Sequence, residues 1–174
     1  VNNGGDIALH LTNDTAVSIG LFADLARFDA QQLVAGVQTD AVFEVKYGMG
    51  ISGVATSGWR GRSFSLGIAD SVTVFASSAS QADAAATMIA NAVDIADARI
   101  VRQPANTLKD DSDLGEQLVT VAVPTLSQDE IHEALEAGLK KAHTLKQNGL
   151  ICASVLSCQG WFASTEAARI QRIS

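Results

Sequence analysis

Two adjoining segments, Asp70-Ser-Val-Thr-Val-Phe-Ala76 and Ser80-Gln-Ala-Asp-Ala-Ala-Ala-Thr87, define the architecture of this chain. The first predicts the end of a strand within residues 62–76, because it is rich in β-branched and aromatic side chains. The second opens a helix predicted over residues 80–94, where apolar side chains recur at helical spacing and Ser80 with Asp83 forms a capping-box pattern. The sequence therefore predicts a strand leading directly into a helix.

Asp83 and Thr87 are four residues apart, which places both oxygen-bearing side chains on one face of that helix. A carboxylate and a hydroxyl near the first helical turn suit a hard cation, which prefers oxygen ligands. An acidic residue there is also favoured by helix capping and the helix dipole. Asn91 and Asp94 extend the same face. Two interpretations stay open, a cation site or a solvated polar stripe.

The remaining elements are mixed without strict alternation, which predicts an α+β fold rather than a doubly wound parallel sheet. The clearest helix begins after Ser127, whose capping box includes Glu130, and ends at Gly149. We expect a hairpin of strands 7–11 and 15–21, strands over 40–47, 118–123 and 150–157, and short helices over 29–34 and 165–172.

Length and charge restrict the class of protein. The chain has 174 residues, enough for one domain with a real core, and a formal net charge of −7. The acidic balance argues against nucleic acid and anionic membranes as partners, and no apolar run approaches the ~20 residues of a transmembrane helix. We treat residues 1–174 as a single domain that lacks an N-terminal segment, since the sequence opens at Val1.

Cys152 and Cys158 are too far apart on a predicted strand to bridge each other. Two buried free thiols are the expected state. They indicate a reducing compartment, so we expect a cytoplasmic protein.

Glycine-rich stretches precede the predicted strand. Gly48-Met-Gly-Ile-Ser-Gly53 matches the dinucleotide fingerprint in form, but no helical pattern follows it, so these glycines are expected to serve a turn and a close backbone approach. The next segment, Thr56-Ser-Gly-Trp-Arg-Gly-Arg62, places two arginines among hydroxyls and small residues. Arg60 and Arg62 could bind phosphate in a bidentate way, or pair with acidic side chains at a solvated hairpin tip.

Three segments, taken in order, resemble the ApbE family of flavin transferases, which use magnesium and FAD to attach FMN to target proteins. Asn3-Gly-Gly-Asp6 resembles the family's Gly-Gly-Asp turn, and Val54-Ala-Thr-Ser-Gly58 its Ala-Thr-Ser-Gly segment. Ser71-Val-Thr-Val74, with Asp83 and Thr87 downstream, resembles its strand and Ala-Asp-x-x-x-Thr helix. The resemblance covers roughly residues 1–95.

The resemblance implies an ApbE-like α+β domain with a mixed or antiparallel sheet. It makes Asp83 and Thr87 magnesium ligands. It also makes the two glycine-bearing turns contacts of FAD or FMN, with Asn3, Gly4, Gly5, Asp6, Thr56, Ser57 and Gly58 as the candidates. Between the second and third segments the transferases carry a His-x-x-Asp-Pro-x-Thr-Gly element. This chain instead has Ser57-Gly-Trp-Arg-Gly-Arg-Ser-Phe-Ser65, which resembles an uncharacterised ApbE-like branch.

Three functional hypotheses follow. The first is a magnesium-dependent transferase-like enzyme acting on a flavin or another small phosphate-bearing ligand, with Arg60 and Arg62 neutralising phosphate charge. The second is a binding module of the same fold without catalysis. The third is a structural subunit of a homo-oligomer, assembled through the apolar face of helix 128–148. The residues name no catalytic group.

Overall fold

The computed structural model describes residues 2–3, 6–21, 41–61, 63–109, 112–166 and 171–172. The expected helix over 29–34 lies outside these ranges. In chain order the described elements are β1 (Asn2–Asn3), β2 (Asp6–Ala8), β3 (Ala16–Leu21), β4 (Ala41–Lys46), β5 (Gly53–Ser57), β6 (Ser71–Ala76), α1 (Ala79–Ala92), β7 (Val101–Pro104), α2 (Ala105–Leu108), β8 (Leu118–Ala122), α3 (Gln128–Gln147), β9 (Ala153–Cys158), β10 (Trp161–Ser164) and β11 (Gln171–Arg172).

Seven of these strands form one sheet in the order β1-β2-β5-β6-β9-β10-β11, and β3–β4 and β7–β8 form two separate pairs. The neighbouring strands of the seven-stranded sheet pair antiparallel. The fold is therefore α+β, as the sequence predicted.

The seven-stranded sheet is covered differently on its two faces, because alternate side chains of a strand point to opposite sides. Val72 and Val74 of β6 join a buried cluster with apolar residues of α1 and α3. Phe75 lies in a second cluster with Val45 of β4, and its ring stacks on Phe43 at a centroid distance of 4.1 Å. The helices thus cover one face, and the β3–β4 pair covers the other.

The start of α1 differs from the prediction. Ser78, in an extended conformation, is the N-cap, and its Oγ accepts a hydrogen bond of 3.3 Å from the backbone N–H of Gln81. The predicted cap of Ser80 with Asp83 is therefore wrong, and Asp83 lies in the second turn. Since Ser78 already accepts from the third helical N–H, the cap does not use the Asp83 side chain.

Two strand and helix predictions also need correction. The hairpin of 7–11 with 15–21 is wrong, because β2 pairs with β1 and β5, whereas β3 pairs with β4. The strand predicted within 62–76 is confirmed as β6, and a loop before it hydrogen-bonds to the end of α1. The tail helix over 165–172 is also wrong: Thr165–Glu166 is a turn, and β11 pairs with β10.

Helix α3 confirms its prediction. Ser127 Oγ accepts from the N–H of Glu130, and the Glu130 carboxylate accepts from the N–H of Ser127, forming the complete capping box. The apolar stripe is buried within the chain, where Gly138 lies against Val93 of the α1 C-cap. This stripe therefore belongs to the core of the chain, as its spacing predicted.

Two further predictions concern the two cysteines and membrane-spanning helices. Cys152 and Cys158 are free thiols, half-buried and buried respectively, and burial raises the pKa of Cys158 to about 12. Among the helices that the structure describes, none has the length and apolar character needed to cross a membrane.

Candidate functional site

A cavity of about 370 Å³ lies where the ends of β5 and β6 meet the exposed side of α1. Its lining includes the described candidates from both predicted sites, which are Asp6, Thr56, Ser57, Gly58, Arg60, Asp83 and Thr87. Of the other candidates, Gly4, Gly5 and Arg62 lie outside the described residues, and Asn3 is described only as backbone of β1. The predicted cation face and the arginine-bearing turn therefore border one space.

One wall of the cavity is acidic. Asp6 projects from β2, and Asp83 and Thr87 project from successive turns of α1. Burial raises the pKa of Asp6, and the nearby negative charge of Asp83 raises it further. Two carboxylates thus repel each other beside a hydroxyl, and a divalent cation would relieve that repulsion.

The oxygen atoms of Asp6, Asp83 and Thr87 are chemically suitable ligands for magnesium. Carboxylate and hydroxyl oxygens are ligands for a hard cation, and Mg²⁺ commonly keeps only one or two protein carboxylates while water and phosphate complete its shell. Within the described ranges, no three His, Cys, Asp or Glu side chains come together as a metal cluster. A cation here would therefore share its coordination with a bound phosphate or with water.

A second wall of the cavity is formed by the end of β5, the turn after it and the start of β6. Thr56 Oγ1 lies 2.9 Å from Thr73 Oγ1, so the two hydroxyls hydrogen-bond across adjacent strands. Ser57 and Gly58 continue this wall. A Cβ at Gly58 would lie 2.4 Å from the carbonyl oxygen of Asp70, so glycine permits the turn to approach β6 closely.

Arg60 lines the same wall and already has an acidic partner. Its Nε lies 3.0 Å from Asp70 Oδ1, and its guanidinium carbon lies 4.9 Å from the centre of the Trp59 ring. The alternative in which the arginine pairs with an acidic residue is therefore confirmed for Arg60. The pairing does not remove Arg60 from the cavity.

A third part of the lining is apolar, and Ile7, Ile19, Leu21 and Val54 supply it. These residues come from β2, β3 and β5, so the β3–β4 pair closes the cavity on this side. Binding pockets of this size commonly combine an apolar lining with a few placed polar groups. The cavity thus presents apolar as well as charged side chains to its interior.

Asp70, Ser71 and Thr73 also line the cavity, and none of them was predicted from the sequence as a site residue. Ser71 and Thr73 alternate with Val72 and Val74, a pattern that could have identified a polar end on the strand face opposite the helices. Asp70 directly precedes this strand, where an acidic residue usually indicates only a turn.

The polar stripe proposed as an alternative to the cation site also needs correction. Asn91 is half-buried, and its Oδ1 accepts hydrogen bonds from Leu66 N at 2.9 Å and Ser65 Oγ at 3.2 Å. Asp94 pairs with Arg102. Asn91 therefore anchors the loop before β6 and Asp94 pairs with β7, whereas Asp83 and Thr87 are exposed to the cavity.

Comparisons with known proteins identify the family. The family model described as "AbpE bacteria" matches residues 1–165, and the chain belongs to this family. A UPF0280 protein of Methanothermobacter thermautotrophicus is 47% identical over 92 residues, 52% of this chain and 31% of that protein. A UPF0280 protein of Methanopyrus kandleri is 38% identical over 124 residues, 70% of this chain and 46% of that protein.

A UPF0280 protein of Methanosarcina barkeri is 43% identical over 96 residues, 55% of this chain and 33% of that protein. The matched region thus spans less than half the length of these three relatives. No solved structure matches the chain.

Proposed function

We propose that this chain binds a flavin or another small phosphate-bearing ligand together with a divalent cation in the cavity between α1 and the β5–β6 edge. The observation that carries the proposal is that two kinds of group line one cavity. Asp6, Asp83 and Thr87 offer hard oxygen ligands, and Arg60 offers a guanidinium. A phosphate bound there would meet the guanidinium and a cation held by the acidic residues.

The chemistry of each wall follows from its groups. Magnesium, when bound, would supply charge neutralisation for phosphate oxygens. Asp83 and Thr87 would hold that ion, with Asp6 beside them, because these residues share the acidic wall. Arg60 would bind phosphate oxygens directly, and the apolar side chains of Ile19 and Val54 would cover an aromatic ring such as isoalloxazine.

The resemblance to the ApbE transferases makes FAD the first ligand to test, with magnesium-dependent release of AMP as the sign of catalysis. A non-catalytic binding module of the same fold is the second candidate. One observation favours it. The titratable side chains among the described cavity residues are Asp6, Arg60, Asp70 and Asp83, with no histidine to exchange a proton near neutral pH.

The proposal is tested by isothermal titration of FMN and FAD into the protein with magnesium and with EDTA. We expect magnesium to tighten binding about tenfold, the size of an ordinary coupling between two sites. Asp83→Asn should abolish this difference without changing the thermal unfolding midpoint measured in EDTA by more than a few degrees. Glu136→Gln, which removes an exposed carboxylate of α3, is the matched control and should behave as wild type.

Binding of equal strength with magnesium and EDTA would contradict the cation site. Absence of binding for FMN, FAD and pyrophosphate alike would contradict the proposed ligand class. AMP release from FAD would separate an enzyme from the binding module, since the binding module leaves the pyrophosphate link intact. FMN bound covalently to an acceptor hydroxyl would indicate transfer, whereas free FMN would indicate that water is the acceptor.

A further inference from the structure

Asp70 is a buried carboxylate on the cavity wall, with one oxygen in an ion pair and the other in a hydrogen bond. Its side chain is 7% exposed, whereas the side chain of Arg60, its partner, is 39% exposed. Oδ1 lies 3.0 Å from Arg60 Nε, and Oδ2 accepts a hydrogen bond from the backbone N–H of Gln159. A carboxylate is tolerated in such a place only when it is paired and hydrogen-bonded in this way.

The backbone around Asp70 is fixed from several sides. Its N–H donates to Ser157 O at 2.9 Å, and its carbonyl oxygen packs against Gly58. The backbone N–H of Trp59 donates a hydrogen bond of 3.0 Å to the carbonyl oxygen of Ala69. Asp70 is therefore the fixed member of the ion pair.

Arg60 is the member with more freedom, since it lies on the exposed turn after β5 and carries a long side chain. An unrestrained arginine loses rotamer freedom each time it binds an anion, and that loss opposes affinity. Contact with Asp70 on one side and the Trp59 ring on the other removes part of this freedom beforehand. The planar guanidinium is then held beside the cavity before a ligand arrives.

We propose that Asp70 is a positioning residue, which holds the guanidinium of Arg60 at the cavity wall so that a phosphate-bearing ligand meets an ordered cation. This inference rests on the proposed function. The opposing effect, direct repulsion between Asp70 and the anion, is the smaller one. The carboxylate charge is already offset by Arg60 and by the Gln159 N–H group.

A double-mutant cycle separates these effects. FMN and inorganic pyrophosphate are titrated, with magnesium present, into wild type, Asp70→Asn, Arg60→Gln and the double variant. We expect Asp70→Asn to weaken binding about tenfold when Arg60 is present, which lies within the range of coupling between contacting residues. In the Arg60→Gln background the same change should alter affinity less than about twofold, because coupled residues are not additive.

A second measurement needs no ligand. The Arg60 Nε–H resonance, assigned with the Arg60→Gln variant as reference, should shift and exchange faster with solvent in Asp70→Asn. Ser157→Ala removes the neighbouring Ser71–Ser157 hydroxyl hydrogen bond of 2.9 Å and is the matched control, with the Nε–H resonance expected to stay in place. The thermal midpoints of all variants establish that each is folded.

Equal weakening in both backgrounds, unchanged or tighter binding in Asp70→Asn, or an unmoved Arg60 Nε–H resonance would each overturn the positioning role alone. A wild-type protein that binds neither FMN nor pyrophosphate would overturn the proposed function, and this inference with it.

Discussion

Gly53 is the position at which a single added carbon should test how α1 is placed. It opens β5, where it pairs with Ala76 of β6 and with Ala8 of β2, and the first turn of α1 lies directly against it. A Cβ built on Gly53 would lie 2.0 Å from the carbonyl carbon of Ser78 and 2.2 Å from its oxygen. These are backbone atoms, so no side-chain rotation can relieve the contact.

The size of the effect follows from that geometry. Ordinary contact of a Cβ begins at 3.4 Å, so the Ser78 backbone would have to move by 1.4 Å, the difference between 3.4 and 2.0 Å. Overpacking of this kind costs up to about 3 kcal/mol. At roughly 2–4 °C per kcal/mol for a domain of this length, Gly53→Ala should lower the thermal midpoint by about 6–12 °C.

Whether Gly53→Ala lowers or raises the thermal midpoint decides whether this position is crowded. Gly53 shows no strained backbone conformation, and an alanine at an unstrained, uncrowded position would stabilise the chain by about 0.4–1 kcal/mol through the unfolded state. Scanning calorimetry of wild type and Gly53→Ala in EDTA distinguishes the two outcomes. The matched control is Gly160→Ala, where φ is +80° and nothing lies within 4 Å of the added carbon, so only the cost of left-handed backbone, about 1–2 kcal/mol, applies.

A midpoint for Gly53→Ala at or above that of wild type would refute the close packing of α1 on β5. A drop no larger than that of Gly160→Ala would count against the steric calculation. Because Asp83 belongs to the displaced helix, any stabilisation by magnesium seen in wild type should be smaller in Gly53→Ala. If magnesium raises the thermal midpoint equally in both proteins, the dependence of the cation site on the position of α1 is contradicted.

Three further outcomes are expected. The pKa of Asp6 is raised above its ordinary value of 3.8 in the folded chain, so ionisation of Asp6 lowers stability progressively as pH rises from 3.8 through the folded pKa. In EDTA, Asp6→Asn should therefore melt higher than wild type at pH 7, with the gain vanishing toward pH 3.8. Iodoacetamide at pH 8 should modify Cys152 well before Cys158, whose pKa burial raises to about 12, giving one adduct by intact mass. Asn91→Ala should cost about 1–3 kcal/mol in urea unfolding, because the Leu66 N–H loses its acceptor.

Each of these has its own control. Asp14→Asn removes the same charge from an exposed turn, and an equal gain there would exclude the proximity of Asp6 to Asp83 as the cause. Cys152→Ser should take up no adduct while folded. Asn106→Ala, also exposed, should leave urea unfolding within about 0.5 kcal/mol of wild type, and a similar loss at both positions would contradict the anchoring role of Asn91.

The elements that the sequence predicted well are those specified by residues close to one another in the chain. The capping box of Ser127 with Glu130 and the stop at Gly149, whose φ is +71°, both depend on residues within a few positions of each other. The helix after β6 was also predicted, although its start was misplaced, because three serines at 77, 78 and 80 compete for the cap and only tertiary packing on Gly53 selects Ser78.

Strand pairing was harder to predict, because it depends on contacts far apart in sequence. Thr73 of β6 pairs with Thr56 on one side and with Val155 on the other, and no local pattern specifies either partner. The expected hairpin of residues 7–21 failed for the same reason. A turn does form at Asn13 and Asp14, but the chain passes there from one sheet to another.

The cavity residues also divide into those that the local sequence identifies and those that it does not. Asp83, Thr87 and Arg60 could be selected from residue type and spacing, and they line one space. Asp70 could not, because its importance lies in a partner ten positions earlier in the chain and in the backbone of Gln159. Asn91 was taken for a solvated side chain because its acceptor role serves a backbone N–H group that no sequence pattern reveals.

Helix α1 has a consequence for how the cavity responds to change at a distance. Asn91 clamps the Ser65–Gly67 loop near its last turn, while Asp83 lies eight residues earlier, about 12 Å along the axis. At Gly67 an added Cβ would lie 2.1 Å from the carbonyl oxygen of Ala90, so loop and helix touch backbone to backbone. A helix this short moves as a rigid body. A sequence change in the Ser65–Gly67 loop would therefore change the position of the Asp83 carboxylate in the cavity.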